Sequence, residues 1–218
     1  MSYTASVSRN LGAIDPFIED NVLRNYTLNG SRPHNLSINY SYRIPGDLWN
    51  NAVSKAVLDG WQISGITSVL SGARQGFTLA LTGVSNVNGS VGGPASRVDI
   101  VCDPNLPRGE RTLLRQFKTE CIQPPADANR VGNARNDEYL GPGYINHDFS
   151  LFKNVSFAGR RALQFRAELY NAFNSMQVST VNTTAQFDTS GKQTNAAFGQ
   201  VTAARDSRRI QLALRFTF

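Results

Sequence analysis

The chain has 218 residues and a formal net charge of +6, from 22 basic and 16 acidic residues. Charged residues make up only 17% of it and apolar residues 40%, while Asn, Ser and Thr number 20, 19 and 14. This balance excludes an acidic disordered chain and a coiled coil. A membrane-spanning helix is also excluded, because no run approaches roughly 18 consecutive apolar residues. Many small polar residues with scattered apolar ones favour a β protein that is wet on one face.

Six segments alternate between apolar and polar residues with a period of two, which predicts strands with one apolar and one polar face. In chain order, the predicted strands cover residues 2–10, 34–45, 58–80, 144–156, 160–176 and 207–218. The last strand has the most regular alternation, and its apolar positions are Ile210, Leu212, Leu214, Phe216 and Phe218.

The connections between these strands are alternately long and short. Residues 46–57 and 157–159 form short connections, whereas 11–33, 81–143 and 177–206 are long. Outer-membrane barrels show the same asymmetry, with short periplasmic turns and long extracellular loops. We therefore predict an all-β fold, an antiparallel transmembrane β-barrel segment of about six long strands.

Two alternatives also explain part of the pattern. A soluble secreted carbohydrate-binding β-sandwich would show the same alternation, because it too has one apolar and one polar face. A small outer-membrane barrel assembled from several copies of the chain is the other alternative. Strands of ten residues or more and alternating connection lengths favour the membrane barrel. So do the aromatic residues near predicted strand ends, namely Tyr40, Tyr42, Trp61, Phe216 and Phe218.

Several sequence blocks together resemble the C-terminal part of Oar-like TonB-dependent receptors, a family of outer-membrane transporters. The blocks are GWQISG, DPNLP, GNARN, GPGYIN, DFSLFKN, LQFRAE, NAFN and the C-terminal run, at residues 60–65, 103–107, 132–136, 141–146, 148–154, 163–168, 171–174 and 208–218. Ser175 and Met176 depart from the family pattern. The resemblance covers nearly the whole chain and implies a roughly 22-stranded barrel filled by an N-terminal plug. Residues 1–218 would then be the C-terminal part of the barrel, with the plug and the earlier strands absent.

The resemblance implies uptake of an unknown substrate across the outer membrane of a Gram-negative-type bacterium, without enzymatic activity or cofactors. The implied partners are outer-membrane lipid, the barrel-assembly machinery, the remainder of the barrel with its plug, and the TonB energy-coupling system through the missing N-terminal part. Nucleic acid is not expected, because the aromatic residues share the apolar parity instead of interleaving with Arg. A catalytic triad is not expected at His147, because Asp148 and Ser150 face the opposite side of a strand.

Three groups of residues are candidates for a role. Cys102 and Cys121 lie in the longest predicted outer loop, where oxidising conditions favour a disulfide over two free thiols. The alternating C-terminal run from Ile210 to Phe218 resembles the signal that the barrel-assembly machinery recognises in its clients. The third group consists of charged residues at the polar positions of the strands, namely Arg43, Asp148, Arg166, Glu168 and Arg215. We expect these side chains to point into the lumen and to form a charge ladder across strands. We expect them to pair with the plug more than with substrate.

A further basic cluster lies near the outer end of the last predicted strand. Arg205, Arg208 and Arg209 are expected either to meet phosphates of outer-leaflet lipid or to lie in a solvated loop end.

Overall fold

The structure, a computed structural model, describes residues 2–5, 10–11, 26–27, 30–45, 51, 55, 57–82, 97–126, 132–157 and 161–218. The strands in this part of the chain are β1 Ser2–Ala5, β2 Asn10–Leu11, β3 Tyr26–Thr27, β4 His34–Arg43, β5 Trp61–Leu70, β6 Arg74–Gln75, β7 Thr78–Leu81, β8 Asp99–Ile100, β9 Ile122–Gln123, β10 Tyr139–Leu140, β11 Tyr144–Ser156, β12 Ala162–Tyr170, β13 Val178–Val181, β14 Thr184–Phe187, β15 Val201–Ala204 and β16 Arg209–Thr217. In the described part of the loops, short 3-10 helices cover Arg108–Glu110 and Thr119–Cys121. Among the described residues, no helix has the length and apolar character needed to cross a membrane.

Six strands form the main sheet in the order β1-β4-β5-β11-β12-β16. Every neighbouring pair is antiparallel, and the order follows the chain once the small loop strands are left out. The predicted all-β fold with an antiparallel sheet of six strands is therefore confirmed. Five of these strands have 9 to 13 residues, and the described part of β1 has four. Among the described strands the sheet does not close on itself, since β1 and β16 each have a neighbour on one side only.

Short and long connections lie at opposite ends of this sheet, as the sequence predicts. Residues 44–60 and 157–161 join strands at one end, which we call the turn end. Residues 6–33, 71–143 and 171–208 join strands at the other, which we call the loop end. All of the long excursions therefore leave the sheet on the same side.

Two of the predicted strands extend too far. Predicted strand 58–80 leaves the main sheet after Leu70, because the backbones of Gly72 and Gly141 approach closely; a Cβ at Gly72 would lie 1.9 Å from the Gly141 carbonyl oxygen. Predicted strand 160–176 ends at Tyr170, because Asn171 has a φ of 49°, a left-handed conformation that stops an extended chain. In the first predicted strand, residues 6–9 lie outside the described part.

The register gives the sheet two chemically different faces. Residues that pair across antiparallel strands project to the same face. One row, on what we call the apolar face, consists of Tyr42, Ile63, Leu151, Ala167 and Leu212. The next row lies on what we call the polar face and consists of Ser41, Ser64, Ser150, Glu168 and Gln211. The alternation read from the sequence is thus coherent across neighbouring strands.

The buried hydrophobic core lies away from the main sheet. Its members all come from 71–143 and 171–208, whose described residues we call the cap: Phe77, Leu79, Val98, Phe117, Ile122, Ala134, Tyr139, Val181, Ala185, Phe187 and Phe198. The parallel pair β7–β14 joins the two connections. In the six described main-sheet strands, Ala167 is the one buried apolar residue. The long connections thus fold as a packed unit of their own.

Three glycines differ in backbone conformation and in the space around them, so substitutions there can distinguish the cost of backbone strain from the cost of close packing. Gly60 has a φ of +75°, and a Cβ there would lie 2.2 Å from the Asn154 carbonyl oxygen. Gly30 has the same φ, but no atom of the described residues lies near its Cβ position, and Gly109 has neither feature. We expect Gly109→Ala to be neutral and Gly30→Ala to cost about 1 kcal/mol from strain alone. Gly60→Ala should cost more than about 3 kcal/mol, because strain and a backbone clash add.

The measurement is the folded fraction in a urea series, read from gel mobility without heating. Equal costs for Gly30→Ala and Gly60→Ala would contradict the contact with Asn154.

Candidate functional site

The apolar face of the sheet is uncovered. Ile210, Leu212, Leu214 and Phe216 of β16 are between 54% and 69% exposed, and Ile145 of β11 is 54% exposed. No second sheet packs on this face within the part of the chain that the structure describes. Contiguous apolar surface of this extent is unfavourable in water, so it requires an apolar medium.

Aromatic residues and one lysine mark the turn end of the apolar face. Trp61 and Lys153 pair across β5 and β11. The Lys153 Nζ donates to the Val57 carbonyl at 2.9 Å and to that of Asp59, and it lies 5.4 Å from the Trp61 ring centroid. Its charge is thereby carried past the end of the strand, as in residues that snorkel to a membrane surface.

Four of the five aromatic residues predicted at strand ends lie at this turn end. They are Tyr42, Trp61, Phe216 and Phe218, and the last two stack with centroids 6.2 Å apart. The fifth, Tyr40, lies further into β4, where its ring covers Gly65.

The register places all five predicted lumen charges on the polar face. In these strands Arg43, Asp148, Arg166, Glu168 and Arg215 share the parity of Ser41, Ser64 and Ser150. The charge ladder across strands stays a prediction.

The one ion pair among these five residues in the described structure runs along β12, between Arg166 and Glu168. These residues are two apart and so project to the same face. The Arg166 guanidinium also lies 5.1 Å from the centroid of the Phe152 ring. Asp148 instead accepts a hydrogen bond from the Asn171 backbone N–H at 2.9 Å.

The two cysteines form a disulfide in the cap. Cys102 and Cys121 have Cα atoms 5.0 Å apart, and the Cys121 side chain is fully buried. The segment that they close contains Phe117, whose ring centroid lies 5.0 Å from those of Phe77 and Tyr139. Closing a loop of this length stabilises a fold by roughly 3 kcal/mol, since it restricts the unfolded chain.

The cap also carries an open cleft of about 880 Å³. Its walls mix amide and carboxylate groups with apolar side chains, and they include Glu120, Gln123, Asn133, Gln193, Pro124 and Phe187. In the described ranges, no group of three His, Cys, Asp or Glu side chains is placed to hold a metal ion. These groups are suited to binding a polar ligand by hydrogen bonds.

His147 lies apart from the groups with which a catalytic residue would cooperate. Its Nδ1 is 2.9 Å from the Thr67 Oγ1 on the apolar face, and its ring packs edge-on against Phe173. Asp148 and Ser150 project from the polar face. His147 and these two residues therefore project from opposite faces of β11, as their spacing predicts.

Comparison with known protein families settles the medium that covers the apolar face. The family model described as outer membrane beta barrel domain matches residues 3–211. The chain belongs to this outer-membrane β-barrel family. No curated protein and no solved structure matches it at a significant level. The protein is located in the outer membrane, and the soluble sandwich is wrong, because one sheet faces lipid where a second sheet would have to pack.

Membership of this family assigns the two faces and the two ends of the barrel wall. In such a wall the apolar face meets lipid and the polar face lines the interior, with long loops outside and short turns in the periplasm. The cap therefore lies above the wall, and Lys153 and Trp61 lie at the opposite membrane surface.

One conspicuous sequence block, 171–174, forms the joint between wall and cap. Asn171 and Asn174 both have positive φ, 49° and 51°. The Asn171 side-chain amide donates to the carbonyls of Ser175 and Asp206 at 3.1 and 3.2 Å, and its oxygen accepts from the Ser175 N–H. Asn174 accepts from the Arg208 N–H at 3.1 Å. These bonds hold both ends of connection 171–208 together.

In two further sequence blocks, 132–136 and 103–107, an asparagine side chain makes hydrogen bonds to the backbone that a neighbouring strand would otherwise make. Asn133 accepts from the Ile100 N–H at 2.7 Å and donates to the Ile100 carbonyl at 3.1 Å. Asn105 accepts from the Leu140 N–H at 2.9 Å. Hydrogen bonds from Asn105, first from its backbone and then from its side chain, lower the pKa of Asp103. From the sequence, these blocks could be identified only by their resemblance to a family. The hydrogen bonds explain physically why asparagine stands at these positions.

Tyr139 offers a test of the cap core. Its side chain is fully buried, and its hydroxyl has no hydrogen-bond partner among the residues that the structure describes. Burial raises its pKa to about 12, and the charge of Arg111 opposes this shift. Because the unfolded phenol ionises near pH 10, the free energy of unfolding of the cap should fall between pH 10 and pH 12. Tyr139→Phe should remove this dependence and raise stability at neutral pH by up to about 1–3 kcal/mol.

Protease resistance of the cap against pH, compared for the two proteins, is the measurement. A Tyr139→Phe protein that is less stable at neutral pH would show that the hydroxyl has a partner.

Proposed function

We propose that the chain forms wall and outer cap of a TonB-dependent receptor that takes up a substrate across the outer membrane. The observation that carries this proposal is where the Oar-like blocks lie in the structure. Block 171–174 ties the wall to the cap, block 132–136 completes the β8 edge, and block 141–146 leads from the cap into β11. The blocks are thus structural requirements of one particular wall and cap.

The two open edges of the sheet define the first class of partner. In hydrocarbon each unsatisfied backbone group costs several kcal/mol, so β1 and β16 need neighbouring strands. We assign these to the remainder of the same barrel. The barrel-assembly machinery and outer-membrane lipid complete the partners of the wall.

The polar face defines the second class of partner. Glu168 and the Phe152 ring hold the Arg166 guanidinium, whose side chain is 46% exposed, and this suits Arg166 to contact a protein surface inside the barrel. We assign that surface to a plug, moved by the TonB system through the N-terminal part. The proposed role is binding and transport, with no enzymatic step, cofactor or nucleic acid.

The test is to isolate the protein from native outer membranes with an antibody against the cap. We expect a polypeptide several times longer than 218 residues, with tryptic peptides from a plug and formaldehyde cross-links to TonB. A chain of 218 residues that cross-links only to copies of itself would contradict the proposal and favour a small oligomeric barrel.

The C-terminal run provides a second test, of the proposed assembly signal. Phe218 is 92% exposed and stacks on Phe216. We expect Phe218→Ala to reduce membrane insertion severalfold, because the aromatic ring would be lost from the recognised strand, whereas Thr217→Ala on the polar face should insert normally. The measurement is the heat-modifiable fraction in purified outer membranes. Equal insertion of both variants would refute the assignment.

A further inference from the structure

An exposed pair of leucines forms the tip of a tight hairpin in the cap. Thr112 and Arg115 exchange both backbone hydrogen bonds, at 2.9 and 3.2 Å, so Leu113 and Leu114 occupy the turn between them. Leu113 is 49% exposed and Leu114 is 73% exposed. A turn of this kind usually carries polar residues, and two apolar side chains at its tip indicate an apolar environment or partner.

Arginines flank the leucine tip. Arg108 is exposed and makes no ion pair in the described part of the chain, while Arg115 is exposed and pairs with Glu120 at 2.7 Å. Arg111 is fixed by donating to the Leu106 and Leu140 carbonyls, both at 2.9 Å. Glu110 is the one acidic residue between Pro107 and Gln116. The hairpin therefore combines an apolar tip with a basic surround, the composition of segments that lie on an anionic lipid surface.

The hairpin is attached close to the membrane-spanning wall. Leu140, which receives the Arg111 hydrogen bond, lies four residues before Tyr144, the first residue of β11, a span of at most about 14 Å. On its other side, the Val201 N–H of β15 donates to the Leu113 carbonyl at 2.8 Å.

Strand β15 continues towards two further arginines at the loop end of β16. Arg205 lies 4.0 Å from the centroid of the Tyr144 ring, and Arg208 follows it three residues later. Through β15 and through Leu140, the leucine tip is thus connected to the chain segments that enter the wall at its loop end.

We propose that the hairpin from Pro107 to Arg115 docks on phosphate-bearing lipid of the outer leaflet. Leu113 and Leu114 enter the boundary between headgroups and acyl chains, while Arg108 and Arg115 meet lipid phosphates. Lipid fits better than a protein, because two leucines cover only a fraction of the roughly 800 Å² that each partner buries in a standard protein interface. The hairpin would fix the cap against the membrane surface. This inference rests on the outer-membrane location and is independent of transport.

The test places a bimane fluorophore on Leu114→Cys, in the full-length protein labelled without reductant so that the Cys102–Cys121 disulfide stays closed. The control position is Ser190→Cys, an exposed site on another turn of the cap. Each protein is reconstituted in vesicles of phosphatidylglycerol with dibrominated or unbrominated acyl chains. We expect bromine to quench the label at 114 by at least about twofold and to leave the label at 190 nearly unchanged, because only the former reaches acyl chains.

The role of the arginines is tested separately. Arg108→Gln combined with Arg115→Gln should weaken bromine quenching at 114 in phosphatidylglycerol vesicles, since the phosphate contacts are lost. Quenching at 114 by aqueous iodide instead of bromine would overturn the proposal, since the tip would then lie in water. Protection from both quenchers would also overturn it, because a protein surface would then cover the tip.

Discussion

A strand that crosses a bilayer has no water to satisfy its backbone N–H and C=O groups, so neighbouring strands must do so along its whole length. This constraint accounts for the regularity of the six-stranded sheet, whose antiparallel pairs keep residues of one parity on one face. The apolar side chains are then free to face lipid, and the polar parity is left for the interior. Lys153 lies on the apolar face, where its charged group also needs polar partners. Its ammonium group finds them by donating to carbonyls beyond the strand end.

The constraint also explains why the hydrophobic core lies in the loops. A wall whose apolar face meets lipid has little need of an internal core, and Ala167 is the only buried apolar residue in its described strands. The long connections leave the membrane and enter water, where burial of apolar surface again drives folding. Phe77, Phe117 and Tyr139 pack together there, and Phe117 belongs to the segment that the Cys102–Cys121 disulfide closes. The asparagines of the sequence blocks supply hydrogen bonds to the backbone that the short loop strands lack.

The strands of the wall could be predicted from the sequence, because the alternation of apolar and polar residues is a local pattern. Strand β11 lies at 144–156 as predicted, and the parity of Arg166 and Glu168 places them on one face without any knowledge of their partners. The cap was not readable, because Phe77, Phe117 and Phe198 are separated by 40 or more residues with no period that links them. The parallel pairing of β7 with β14 joins residues more than 100 positions apart. The end of β12 could not be predicted either, because alternation alone would continue the strand past Asn171. The left-handed φ of Asn171 depends on its hydrogen bonds to Asp148, Ser175 and Asp206, which the sequence pattern does not show. The exposed leucine tip could be recognised only once exposure was known.

The central claim, that one face of the sheet meets lipid and the other meets a wet interior, is tested most directly along β12. Single cysteines at residues 163 to 169 would carry nitroxide labels, attached without reductant so that Cys102 and Cys121 stay bonded. The account predicts that accessibility to dissolved oxygen exceeds that to an aqueous nickel chelate at Leu163, Phe165, Ala167 and Leu169, with the reverse at the residues between them. A profile without this period of two, or with both parities equally open to the nickel chelate, would contradict it.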